Sequence, residues 1–121
     1  MTTVQLGNYT ERKLARMLGL TLVRLSGHDA ISQSGKRIEI KGAKVGAKGC
    51  QVCLRKHDDY GHADVSKSDI IIIVCYNDLL LVTGIYAIPV QALGNLKKIT
   101  ITEHGKYSQY KVTANELSTL I

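Results

Sequence analysis

Hydrophobic and polar positions change period several times along this 121-residue chain, and each change marks an element. Leu14, Met17 and Leu18 recur at helical spacing behind Asn8-Tyr9-Thr10-Glu11, which has the form of a capping box. Gly19 ends the run, so a helix is predicted from Asn8 to Leu18. Thr21 to Leu25 is β-branched and apolar, a strand. Asp29-Ala30-Ile31 and Arg37-Ile38-Glu39-Ile40-Lys41 are short alternating runs on either side of a Ser/Gln/Gly turn, the pattern of a β-hairpin. Gln51 to Arg55 alternates again, with Val52 and Leu54 on one face and Gln51, Cys53 and Arg55 on the other. Asp69 to Tyr76 is apolar nearly throughout, as in a strand covered on both faces, and Asn77-Asp78 turns it into a partner running from Leu79 to Ile88. Pro89 ends that strand and Val90 to Leu93 fits one helical turn. Ile99 to Ile101 and Tyr107 to Val112 read as two further strands. Thr113-Ala114-Asn115-Glu116 is a second capping box, opening a short helix through Leu120. This order predicts one α+β domain over residues 1–121, with a mixed central sheet flanked by helices.

The first hairpin carries the candidate chemistry. With Gln33-Ser34-Gly35 as a three-residue loop and Gly35 left-handed, Ser32 pairs with Lys36, and Asp29 falls directly across from Glu39. The period of two sends Ile38 and Ile40 to one face and Arg37, Glu39 and Lys41 to the other. Carboxylates opposed across strands repel and resist joint ionisation unless a cation lies between them. Mg²⁺ suits such a pair, because it commonly takes one or two carboxylates together with water and phosphate oxygens. The plainer alternative is a solvated strand face with a cross-strand Lys/Glu pair.

Charge narrows the choice of partner. Sixteen lysines and arginines against 10 acids give a net charge of +6, which favours a polyanion. Between Lys36 and Lys56 the sequence holds seven basic residues and a single acid, Glu39, so positive charge gathers around the proposed site. An odd number of cysteines, three, argues against a disulfide framework and for reduced thiols. Neither a signal peptide nor an apolar run of spanning length is read here, so a cytoplasmic protein without a membrane partner is expected. Without Trp or Phe, the six tyrosines do not make an extended base-stacking platform.

Asp29 followed by Glu39-Ile40-Lys41 resembles the signature of the PD-(D/E)XK nuclease superfamily, with the restriction-endonuclease-like fold. Ser26-Gly27-His28-Asp29-Ala30, Gly35 and Glu39-Ile40-Lys41 are similar to the site of small type II restriction endonucleases. His28 stands where the named motif has Pro. Gly7, Glu11, Arg12 and Leu14, then Val23-Arg24, Gly27 and Asp29, resemble the opening of archaeal Holliday junction resolvases. The resemblance covers roughly residues 7 to 41 and implies a metal-dependent DNA endonuclease of either the restriction or the junction-resolving kind. Asp29 and Glu39, helped by the Ile40 carbonyl, would hold Mg²⁺, with Mn²⁺ able to substitute. Lys41 would orient the attacking water and stabilise charge on the phosphate. Glu11 is either the cap partner of its helix or, as the resolvase likeness implies, a further acid of the site that reaches a metal or its water.

Other stretches leave two readings open. Gly42 to Gly49, glycine-spaced and basic, is either a mobile surface loop or an arm whose Lys44 and Lys48 touch DNA phosphates; it lacks the ending of a P-loop. Gln51 and Arg55 are ordinary surface residues or extend the DNA-binding face. Cys50-Gln51-Val52-Cys53 with His57 and His62 invites zinc, but cysteines three apart in a strand point to opposite faces and the spacing to His57 fits no standard finger. Lys106, Tyr107, Tyr110 and Lys111 are a solvated hairpin or the lining of a DNA groove. One centre per chain implies a homodimer for cutting both strands of a duplex or junction. The competing class is a non-catalytic basic DNA-binding module whose acids are structural salt-bridge partners.

Overall fold

The computed structural model describes residues 1–25, 28–54 and 65–121. Helix α1 (Thr3–Leu18) leads into β1 (Thr21–Leu25), β2 (His28–Ile31), the long β3 (Arg37–Gly46) and β4 (Gly49–Cys53). After a 3-10 turn at Val65–Lys67 come β5 (Ile70–Tyr76), β6 (Val82–Pro89), a 3-10 turn at Val90–Leu93 and β7 (Lys98–Ile101). The two-residue β8 (Lys111–Val112) and α2 (Ala114–Leu120) complete the order.

Among the described residues the strands form a mixed sheet in the order β1-β2-β3-β5-β6-β8, with β4 pairing β3 and β7 off that path. The apolar run Ile70–Tyr76 forms its middle, every residue buried, parallel to β3 and antiparallel to β6. Its two faces feed two cores. Ile70, Ile72 and Val74 pack with Ile38, Ile40 and the Leu6 and Leu14 side chains of α1. Ile71, Ile73 and Cys75 pack with Val52, Leu54 and Ile99, because the β4–β7 ribbon folds over that side. The fold is therefore α+β around a mixed sheet, as the pattern predicts.

Three elements differ from the sequence reading. The N-cap of helix α1 lies six residues earlier than the Asn8-to-Glu11 box suggests. Thr2 is the N-cap, accepting from Gln5 N–H while the Gln5 side chain accepts from Thr2 N–H. The buried stripe is Leu6, Thr10 and Leu14, and Gly19 closes the helix left-handed at φ 66°. Glu11 therefore lies inside the helix and outside its capping box. Gly7 and the β-branched Thr3 and Val4 hide the first turns, whose stability comes from packing. Thr10 Oγ1 donates to the Leu6 carbonyl and lies 2.8 Å from the Tyr76 hydroxyl. A Cβ at Gly42 would run into that Thr10 hydroxyl, so glycine there is what lets α1 lie on the backbone of β3.

The second difference is the glycine-spaced basic run. It is strand as far as Gly46, paired to β5 through Gly42–Val74, Ala43–Cys75 and Lys44–Tyr76, and only Ala47-Lys48 form a turn into β4. Tertiary pairing with an apolar neighbour overrides the weak strand preference of its glycines. The third is Tyr107 to Val112, of which only Lys111–Val112 is strand. Ser108–Tyr110 is a 3-10 turn, the Ser108 hydroxyl donates to the Gly105 carbonyl, and Tyr107 is buried in the core instead of lining a groove.

Candidate functional site

The site is built by the first hairpin. Ser32 and Lys36 close it: Ser32 N–H donates to the Lys36 carbonyl at 2.9 Å, and Lys36 N–H donates to Ser32 Oγ at 3.0 Å. Gly35 sits at φ 91°, a conformation costly for a residue with a side chain. Beyond the turn, Ile31 pairs with Arg37 and Ala30 with Ile38. One step further in this register, Asp29 stands opposite Glu39, as the turn chemistry predicts.

Burial separates the two acids. Glu39 is only 6% exposed, whereas Asp29 is half-buried. Asp29 Oδ2 accepts the Ile40 N–H at 2.9 Å, so the backbone of β3 fixes the carboxylate beside Glu39. The Glu39 carboxyl is pushed up to about 9, first by burial, then by its hydrogen bond to Asp29 and the charge of Asp29. Lys41 opposes that shift and Glu11 adds weakly to it. Burial and the neighbouring Asp29 thus favour the protonated form of Glu39 at neutral pH. Three other residues singled out in the sequence, Asp29, Lys41 and Glu11, thus bear on Glu39 here.

A buried carboxyl hydrogen-bonded to a second one, with an ammonium nearby, is a donor set that fits a divalent, oxygen-loving ion, since the ion takes the place of the Glu39 proton. Among the described residues no three His, Cys, Asp or Glu side chains gather as a metal cluster. The acids therefore offer a pair, and Glu11 bears on Glu39 through its charge. Cys50 is buried and Cys53 exposed, on opposite faces of β4, as strand alternation requires.

Lys41 connects the acids to a groove. Between the start of α1 (Thr2, Thr3, Leu6) and the β3–β4 hairpin lies an open cleft of about 880 Å³, lined also by Lys41, Lys44, Lys48 and Gln51. Lys44, Lys48 and Gln51 are exposed, so the sequence-selected basic residues do come together on one surface with Lys41. Arg55, His57 and His62 lie outside the described residues. Arg37, also assigned to this face, is tied instead to Asp69 at the start of β5: its backbone N–H donates to Oδ2 at 2.8 Å and its guanidinium reaches Oδ1 at 3.2 Å. What the sequence reading missed is the far wall of the cleft, because it began the helix too late. The Thr2-x-x-Gln5 spacing was the available signal.

No family model matches the chain, and no curated protein matches its sequence. The fold resembles that of a bacterial homing endonuclease. Superposition on that enzyme, I-Ssp6803I, gives a TM-score of 0.65 over 98% of this chain and 93% of the other, at 16% sequence identity. At that identity the likeness is one of fold, and it spans the sheet, the hairpin and α1 together. Among the described residues no helix is long and apolar enough to cross a membrane.

Proposed function

We propose that the chain is a metal-dependent DNA endonuclease of the PD-(D/E)XK kind, working as a homodimer. The observation that carries this reading is the buried Glu39 carboxyl set against Asp29 with Lys41 alongside. The likeness to an endonuclease fold supports DNA as the substrate. Asp29, Glu39 and the Ile40 carbonyl would hold Mg²⁺ or Mn²⁺, which when bound supplies charge neutralisation at the phosphate and makes water more acidic. The residues of the chain do the rest. The Ile40 amide keeps the Asp29 carboxylate in place. Glu39 gives up its proton as the site is filled. Lys41 faces both the acids and the cleft, so its ammonium positions the attacking water and stabilises charge that builds on the phosphate oxygens. Glu11, whose charge bears on Glu39, would reach the metal or its water. Lys44, Lys48 and Gln51 fix the backbone of the strand being cut, without reading bases.

The test uses supercoiled plasmid, linear duplex and a synthetic four-way junction, each with Mg²⁺ or with chelator. Cleavage that needs the metal and vanishes in Asp29→Asn is the expected result. Plasmid cutting marks a restriction-like enzyme and selective junction cutting a resolvase-like one. Binding with no cleavage in either metal would identify a non-catalytic DNA-binding module instead.

A further inference from the structure

The β4–β7 ribbon turns one face to the core and the other to water. Val52 and Leu54 alternate with Gln51 and Cys53, and Ile99 and Ile101 alternate with Lys98 and Thr100; the apolar set is buried and the polar set exposed. The register Gln51–Thr100, Val52–Ile99 and Cys53–Lys98 sets the exposed residues side by side in pairs on the outer face. Among the described residues β7 pairs with β4 alone, so its far edge is open as well. A two-stranded ribbon thus carries a polar face on a packed, apolar backing.

That face continues the cleft. Gln51 and Cys53 line the cleft together with Lys41, Lys44 and Lys48, opposite the start of α1, and their register partners Thr100 and Lys98 lie one strand farther out. A nucleic acid whose phosphates rest on Lys44, Lys48 and Gln51 therefore meets β7 next. Charge agrees with this. From Lys41 to Leu54 and from Gly94 to Thr102 the sequence holds five lysines and no acid, so nothing on either strand repels a polyanion. The major groove of B-DNA, about 12 Å wide, admits a two-stranded β-ribbon. The residue types suit its floor as well: lysine donates to guanine O6 and N7, and threonine offers a hydroxyl to bases and a methyl to thymine.

We propose that the outer face of the β4–β7 ribbon lies in the major groove, with Lys98 and Thr100 reading base edges, and that the substrate is a duplex of defined sequence. This rests on the reading of DNA as the substrate, and it selects the restriction-like alternative over the junction-resolving one. The test is selection of bound duplexes from a pool with a randomised core, with Ca²⁺ in place of Mg²⁺ so that binding is read apart from cutting. Dimethyl sulfate interference on the selected duplex follows. Wild type should enrich one sequence, and methylation of a guanine N7 within it should block binding. Lys98→Met should lower discrimination at that guanine at least about fivefold and abolish the interference there. Thr100→Ala should relax a neighbouring position while affinity for unselected duplex stays within about twofold. Both positions are exposed, so the thermal transition should stay in place. Lys44→Ala is the contrast and should weaken binding to all duplexes alike. Enrichment of no sequence, or a selected sequence that both variants read as wild type does, overturns the proposal. Preference for a four-way junction over the selected duplex overturns it too. A selected sequence that is bound but never cut with Mg²⁺ or Mn²⁺ would refute the nuclease reading and leave the ribbon in its groove; cutting without sequence preference would do the reverse.

Discussion

Replacing Glu39 by glutamine is expected to make the protein more stable above neutral pH and to abolish cleavage. The Glu39 carboxyl ordinarily ionises at 4.5 and is raised here to about 9. Between those values the folded protein carries one proton more than the unfolded chain, so stability is complete below the lower value and declines as pH rises toward the upper one. The decline is about 1.4 kcal/mol per pH unit. Glutamine keeps the neutral, hydrogen-bonding form at every pH and leaves nothing to ionise. Denaturant titrations should therefore show the two proteins nearly equal near pH 5. At pH 8 the variant should be ahead by an amount on the order of 3–4 kcal/mol. Mg²⁺ should flatten the pH dependence of the wild type and leave that of the variant unchanged, because only the wild type exchanges a proton for the ion. A variant less stable than the wild type at pH 8 would mean that Glu39 is ionised in the folded protein and held by a partner.

The second large effect belongs to Lys41. It is the residue that faces both the carboxyl pair and the basic cleft, so its removal should affect the chemical step more than binding. Lys41→Ala is expected to slow single-turnover cleavage by about 10²–10³-fold, the usual loss when one group that stabilises developing charge is removed. DNA affinity in Ca²⁺ should change only a few-fold, since Lys44 and Lys48 remain to meet the phosphates. Lys41→Arg keeps the charge but spreads it over a wider, planar group and should restore only part of the rate. Equal losses of rate and affinity would reduce Lys41 to one more phosphate contact. An unchanged rate would remove it from the site.

Much of this site was legible because its determinants are local. Ser32 and Gly35 dictate a tight turn, the alternation from Arg37 to Lys41 dictates faces, and the two together place Asp29 across from Glu39 with no knowledge of the remainder of the fold. The buried strand Ile70–Tyr76 and the capping box at Thr113 were equally plain. What escaped depends on partners distant in sequence. Gly42 to Lys44 became strand because β5 lay ready to pair with it, and Val45-Gly46 because β4 folds back on them. The depth at which Glu39 is buried, and hence its proton, comes from tertiary packing that no alternation pattern specifies; its register neighbour in β5, Ile71, is itself fully buried. The onset of α1 was obscured by Gly7 and by β-branched residues that packing rescues, and with it went the second wall of the cleft and the reading of Glu11 as a cap. The Asp29 hydrogen bond to the Ile40 amide could not be anticipated either, since it forms just past the last paired residues of the hairpin.

The exchange of the Glu39 proton for a divalent ion at Asp29 and Glu39 is most directly measured by calorimetric titration of Mg²⁺ or Mn²⁺ at pH 7.5 in two buffers of different ionisation enthalpy. The heats should differ by the amount that corresponds to about one proton released per ion bound, and that difference should disappear in Glu39→Gln. Binding with no proton released, or no binding at all while Glu39 stays buried and protonated, would contradict the assignment of these two carboxyls as the metal site.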